Sequence, residues 1–253
     1  MLKTAKKRFG FSGALLLLLL LVFMAPVINM IYLSLASDTG EIGFSFKQYA
    51  ALFENKRLIQ RLINSCTITA KTLLLQLPLS VLGGIMLVRH KSLLTKILLA
   101  ALLLMTLLPF QTYMLPIFRI LKFYGLFDTH TGLIVFYAFS PLGPLIVYSF
   151  MHAIPDEHWE AASLDTSSLL IILFRVILPQ LVPMFAALIL LCFAESWNTV
   201  EPAAILLQTD ELIPASVSLN DNKAVSWAAS AIYAMPILLL YVPAAFLTRT
   251  KSS

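Results

Sequence analysis

Apolar residues in this chain come in long blocks, not in the alternation of a half-buried strand or the one-sided stripe of a soluble helix. Residues 15–21 are uninterrupted leucine. A helix crossing about 30 Å of hydrocarbon needs roughly 20 apolar residues at about 1.5 Å each. Six blocks are of that order: 11–36, 62–88, 95–121, 131–153, 181–207 and 226–248. They predict an all-α polytopic membrane protein with six spans. A further apolar run, 169–177, is shorter, contains Arg175 and is followed by Pro179 and Pro183, so it reads as an interfacial helix between the fourth and fifth spans. The basic start, the leucine run and Ser34-Leu35-Ala36 imitate a secretory signal. The first block is far longer than the roughly 7–15 residues of a signal core, and it is read as a retained span.

Composition narrows the class. Only 12% of the 253 residues are charged and 59% are apolar, against about 25% and about 45–50% in an average soluble domain. That is too little charge to clothe a water-soluble globule, and too much apolar surface for disorder. Placing the basic residues orients the spans. Lys3, Lys6, Lys7, Arg8, Arg89, Lys91, Lys96, Arg175, Arg249 and Lys251 fall on one side, and Lys47, Lys56, Arg57, Arg61, Lys122 and Lys223 on the other. The bias puts both termini in the cytoplasm of a multi-pass cell-membrane protein. Topology therefore accounts for the net charge of +5. Beyond the first eight residues no basic stripe is interleaved with aromatics, so no nucleic-acid partner is expected. Cys66 and Cys192 stand singly in apolar stretches, which argues against a disulfide framework or a metal knuckle.

Charges inside spans are costly and usually face a bundle interior or a cavity. Lys71, Arg119, Glu195 and Glu201 qualify, with Trp197 and Asn198 beside the glutamates. On one continuous helix Glu195, Asn198 and Pro202 would share a face. Glu195, Trp197, Asn198 and Glu201 are therefore the candidate substrate pathway. The competing reading is purely structural: Lys71 and Glu195 pair between helices, and Arg119 reaches to the interface. Pro78, Gly83, Gly84, Pro109, Pro116, Pro141, Gly143, Pro144, Pro236 and Pro243 predict kinked spans. G-x-x-x-x-G-K-[ST], H-E-x-x-H and G-x-S-x-G are all missing from the sequence, and its four histidines are scattered. No catalytic residue, metal or cofactor is expected. If transport is active, its energy comes from an ion gradient or from a partner protein.

The segment 154–183 falls on the cytoplasmic side of this topology. Pro155 suits a first helical turn, where Asp156 and Glu157 complement the helix dipole. Trp159, Ala161, Ala162 and Leu164 give a short amphipathic helix; Thr166, Ser167 and Ser168 offer an N-cap to a second helix, 169–178, which Pro179 ends. Two short tethered helices make a knob that a partner can grip.

Glu160-Ala161-Ala162, Asp165, and Ile177-Leu178-Pro179 with Pro183 resemble the EAA motif of permease subunits of binding-protein-dependent ABC importers. The six-span layout, with this loop before the last two spans, is similar as well. Thr166 stands where the family usually has glycine, which serves a turn that can need positive φ. Phe174 lies one place later than a phenylalanine common in the family. Glu195-Ser196-Trp197-Asn198, then Pro202-Ala203 and Leu212-Ile213-Pro214, resemble segments of the maltose-type carbohydrate permeases.

The resemblance implies a single permease domain over 1–253, with a core of five spans over 62–248 and a coupling loop over 154–180. It implies that Glu160, Ala161, Ala162, Asp165, Thr166 and Pro179 meet the ATPase, with Glu160 facing a basic side chain. The implied partners are a second, homologous permease subunit, two cytoplasmic ATPase subunits, an extracytoplasmic solute-binding protein and membrane lipid. The implied cargo is a sugar or oligosaccharide. Competing functions are a permease for polyamine or phosphate, and an ion-coupled transporter with Glu195 and Glu201 as ion sites.

Overall fold

Proline placement decides which of the expected spans run as single rods. The structure, a computed structural model, describes residues 2–36, 44–90, 92–155, 157, 164, 168–172, 175, 177–218 and 226–249. Among them regular structure is helical apart from one antiparallel bridge between Ala36 and Phe44. The main helices are α1 (Leu2–Leu35), α2 (Lys47–Glu54), α3 (Lys56–Arg89), α4 (Leu93–Leu107), α5 (Phe110–Phe123), α6 (His130–Ala138), α7 (Leu142–His152), α8 (Val182–Trp197), α9 (Glu201–Leu206) and α10 (Ser226–Arg249).

Gly13–Leu35, Lys56–Arg89, His130–His152 and Trp227–Ala244 are each long and apolar enough to cross a membrane. Two of the other expected blocks are interrupted and do not run as single helices. The block 95–121 is not one helix: α4 and α5 meet at 107°. Pro109 cannot donate to the helical ladder and biases Leu108, at φ −75° and ψ 129°, toward extended backbone. The block 181–207 divides into the 16-residue α8, roughly 24 Å long, and the short α9. Pro202, in the first turn of α9, has no N–H to offer the carbonyl four residues back, so α8 ends before it.

The chain forms two compact units, one of residues 1–59 with 219–234 and the other of 60–218 with 235–253. In the first, α2 is tied to the end of α1. The Gln48 Nε2 donates to the Leu33 carbonyl at 2.9 Å, and the Ser34 and Tyr49 hydroxyls lie 2.9 Å apart. Leu52, Leu58, Ala228 and Ala229 form the small core of this unit. In the second, one cluster joins Val147 and Met151 of α7 to Met184, Leu188 and Cys192 of α8. Another joins Ile68 of α3, Leu133 and Tyr137 of α6, and Ala203 and Leu206 of α9. Helices α3 and α7 approach so closely that a Cβ at Gly84 would overlap Val147, and one at Gly143 would overlap the Ser80 hydroxyl.

Helix α1 and one face of α3 reverse the usual placement of polarity. Leu15 to Met24 of α1 are exposed, while Ser65, Thr69, Thr72, Gln76 and Ser80 of α3 are buried. A soluble globule has the reverse arrangement.

Candidate functional site

The site is built where the proline break between α6 and α7 meets α3 and α8. Pro141 separates α6 from α7 and leaves Ser140 in the gap, where its N–H donates to the Tyr137 carbonyl at 3.0 Å and its hydroxyl stays available. That hydroxyl donates to Glu195 Oε1 at 2.8 Å. From α3 the Gln76 Nε2 donates to Glu195 Oε2 at 3.2 Å. One carboxylate on α8 therefore holds α3 and the α6–α7 break together through neutral donors. Gln76 is fully buried, and its Oε1 has no partner among the described residues, as is true of the Thr69 and Thr72 hydroxyls on the same helix.

Glu195 is only partly covered, and it borders a cavity of about 370 Å³. The walls are apolar, mostly aliphatic side chains such as Met105, Ile117 and Val135, and four aromatic ones join them: Tyr113 from α5, Phe136 and Tyr137 from α6, and Phe139. Flat apolar ring faces beside a carboxylate, a phenol and a hydroxyl offer both stacking and hydrogen bonding. A concave apolar site with a few convergent polar groups is the general form of a small-molecule site.

The other predicted residues of this group do not form one polar face with Glu195. Helix α8 stops at Trp197, so Asn198 is its C-cap, exposed, and its N–H donates to the Ala194 carbonyl at 3.1 Å. Trp197 is buried and stacks on Phe193, with ring centroids 5.3 Å apart. Glu201 opens α9 and accepts from Gln111 Nε2 of α5 at 2.6 Å. The polar stripe expected along a continuous helix is thus dispersed by the break at Pro202. Lys71 and Arg119 are both exposed, and no pairing of Lys71 with Glu195 is seen.

Of the predicted coupling residues, Glu160, Ala161, Ala162, Asp165 and Thr166 lie outside the described residues. Pro179 is described. It is exposed, in the short turn Leu178–Gln180 directly after the fully buried Ile177. Pro179 thus opens a turn leading into α8, where the sequence reading had it close a helix; a proline fits a first turn because the missing N–H has no partner there anyway.

Sequence reasoning overlooked the buried side of α3. Arg61, Ser65, Thr69, Thr72, Gln76 and Ser80 are all buried and recur at intervals of three or four, the period of one helix face. That signal was available, but Lys71, the conspicuous charge, lies on a different face.

Beyond the helix ends, the segment after α9 is held by polar ties. Asp128, at φ 55°, accepts from the N–H groups of Gln208 and Thr209 at 2.7 and 2.9 Å and from the Thr209 hydroxyl at 2.6 Å. The Thr209 hydroxyl foremost, with these two N–H groups, holds the Asp128 carboxyl below its ordinary range. Arg61 pairs with Asp210 at 2.8 Å, and Asn64 Nδ2 donates to the Glu211 carbonyl at 2.7 Å.

Known proteins share this layout. A chain from the crystal structure of a bacterial ABC transporter involved in the import of the acidic polysaccharide alginate superposes with a TM-score of 0.80 at 21% identity, covering 94% of this chain and 96% of that one. In sequence, the chain is 28% identical over 208 residues to the melibiose/raffinose/stachyose import permease protein MelC of Bacillus subtilis, covering 78% of this chain and 75% of MelC. It is also 28% identical over 263 residues to the diacetylchitobiose uptake system permease protein NgcG of Streptomyces coelicolor, covering 94% and 85%. Residues 77–250 match the family described as binding-protein-dependent transport system inner membrane component, and the chain, more than half of it matched, belongs to that family.

Proposed function

We propose that this chain is the permease subunit of an ABC importer that carries a sugar or oligosaccharide into the cell. The observation that carries the reading is the Glu195 cavity: aromatic faces and a carboxylate in one space suit a polyhydroxylated ring, which presents C–H faces and hydroxyl edges. Relatives that import melibiose, raffinose, stachyose and diacetylchitobiose support the same solute class.

In this reading the chain crosses the membrane six times with both termini cytoplasmic. It pairs with a homologous permease above two ATPase subunits, and a solute-binding protein delivers cargo from outside. The chain itself performs no covalent chemistry; ATP is hydrolysed in the partner subunits. Their closure moves the 154–180 loop, with Glu160, Ala161, Ala162, Asp165, Thr166 and Pro179 at the contact, and switches the spans between inward-open and outward-open states. Glu195, Trp197, Asn198 and Glu201 mark the path, with Glu195 in contact with solute and Trp197 as packing behind it.

Uptake by the reconstituted complex, measured across a panel of radiolabelled oligosaccharides, polyamines and phosphate, tests the solute class. Sugar uptake that falls at least about tenfold in Tyr113→Ala supports the reading. Uptake confined to polyamine or phosphate sinks it. Glu160→Lys tests coupling, with ATP hydrolysis retained and uptake lost as the expected result; uptake at the wild-type rate removes Glu160 from the contact.

A further inference from the structure

The transport path leaves unused a second, larger space, a groove of about 730 Å³ between the end of α3 and the start of α4. Its walls are apolar: Met86 and Leu87 from α3, and Leu94, Leu98 and Leu102 from α4. The three leucines recur every four residues and so form one ridge of α4. Leu94 and Leu98 are exposed, and α4 as a whole buries none of its residues within the chain. The mouth differs from the walls in being lined by Arg89, His90, Ser92 and Thr95. The stretch 89–96 carries Arg89, Lys91 and Lys96 and not one acidic residue.

We infer that this groove seats one acidic phospholipid, its phosphate at Arg89 and His90 and its acyl chain along Leu94, Leu98 and Leu102. Where α3 ends and α4 begins, the chain passes the membrane boundary, which is the depth of the lipid headgroups. A cationic mouth opening onto an apolar ridge matches the two halves of that ligand in order and in polarity. The phosphate of such a lipid supplies negative charge at the depth of the mouth, and its acyl chain meets the leucine ridge. The inference rests on reading α3 and α4 as spans, and it is independent of which solute the permease carries.

The test uses the full chain purified with its complex from nanodiscs containing equal phosphatidylglycerol and phosphatidylcholine, with retained lipid counted by native mass spectrometry. The wild type is expected to favour phosphatidylglycerol by roughly fivefold more than the Arg89→Ala/His90→Ala variant, the scale of one or two interfacial cations. Leu98→Trp, which fills the groove and leaves the mouth intact, is expected to lose the same bound lipid. Glycerol 1-phosphate at millimolar concentration, lacking an acyl chain, should not displace it. An unchanged lipid ratio in both variants overturns the inference, and so does displacement by glycerol phosphate. A photo-crosslinker at position 98 provides a separate check: a lipid adduct supports the proposal, and a cross-link to a second polypeptide overturns it. None of these readouts depends on uptake, so the failure of the sugar assignment and the failure of the lipid site are distinguishable.

Discussion

Helices α3 and α4 follow one another in the chain, α3 long enough to cross a membrane and α4 the first arm of the bent pair, yet they solve opposite problems. Helix α3 carries lysines, arginines and a row of hydroxyls and amides, and it buries that row at Ser65, Thr69, Thr72, Gln76 and Ser80. Helix α4, LLTKILLAALLLMTL, is more apolar, and it buries nothing within the chain. Hydropathy alone ranks α4 as the better candidate for a core. In hydrocarbon that ranking inverts, because an apolar side chain gains little by leaving lipid for protein, and a polar one gains a partner. The polar face of a span therefore marks where protein lies, and its apolar face marks where lipid or another subunit lies.

The sharpest way to break the comparison is to wedge α3 away from its neighbour. Gly84→Leu drives a side chain into Val147 and is expected to cost about 1–3 kcal/mol or more, read as a large fall in thermal unfolding temperature in detergent. A variant as stable as the wild type would show that α3 and α7 are not closely packed.

Next in size is the carboxylate that the polar face serves. Glu195→Ala strands the Gln76 and Ser140 donors and is expected to cost about 1–3 kcal/mol of stability, with uptake lost. Glu195→Gln keeps the shape and one acceptor. Recovery of stability without recovery of uptake assigns the negative charge to the solute; recovery of both assigns Glu195 to packing alone.

A smaller effect concerns the loops. The Asp128 carboxyl titrates below its ordinary value of 3.8 because the folded protein hydrogen-bonds its charged form. A lowered folded pKa contributes stability that is present above about pH 4 and is lost as the pH falls through the folded value. Between pH 6 and pH 3 the wild type should therefore lose amide protection at Gln208 and Thr209, and Asp128→Asn should show less protection at pH 6 with little further change. Equal pH dependence in the two proteins would remove Asp128 from that tie.

The smallest expected change is on α4. Leu104→Ala should leave stability within about 0.5 kcal/mol, since the side chain is 62% exposed. A loss of several kcal/mol would mean that another subunit covers this face.

These regions also show how far the sequence could be read. The all-helical membrane class follows from block length alone, since about 20 apolar residues have few other uses. Glu195 was found because a carboxylate in a span is rare and needs a reason. The breaks at Pro109 and Pro202 were harder. A proline in an apolar run signals a kink, but whether it bends a span or divides it depends on whether neighbouring side chains restore the lost hydrogen bonds, and that is a tertiary matter. For the same reason Asn198 and Pro202 do not share the face expected with Glu195: the helix that would have aligned them ends at Trp197. Gln76 and Ser140 went unnoticed because neutral polar residues in a span cost little to insert and attract no attention individually. Only their placement opposite a carboxylate gives them a role.

The two hydrogen bonds at Glu195 bear on how such a protein can drift. Each oxygen is committed to a different segment, Oε1 to the α6–α7 break and Oε2 to α3. Position 195 cannot lose its carboxylate alone without orphaning two donors, and neither Gln76 nor Ser140 can turn apolar without leaving an oxygen bare in a low-dielectric interior. Positions 76, 140 and 195 are therefore expected to covary as a triplet across related permeases, changing together or not at all.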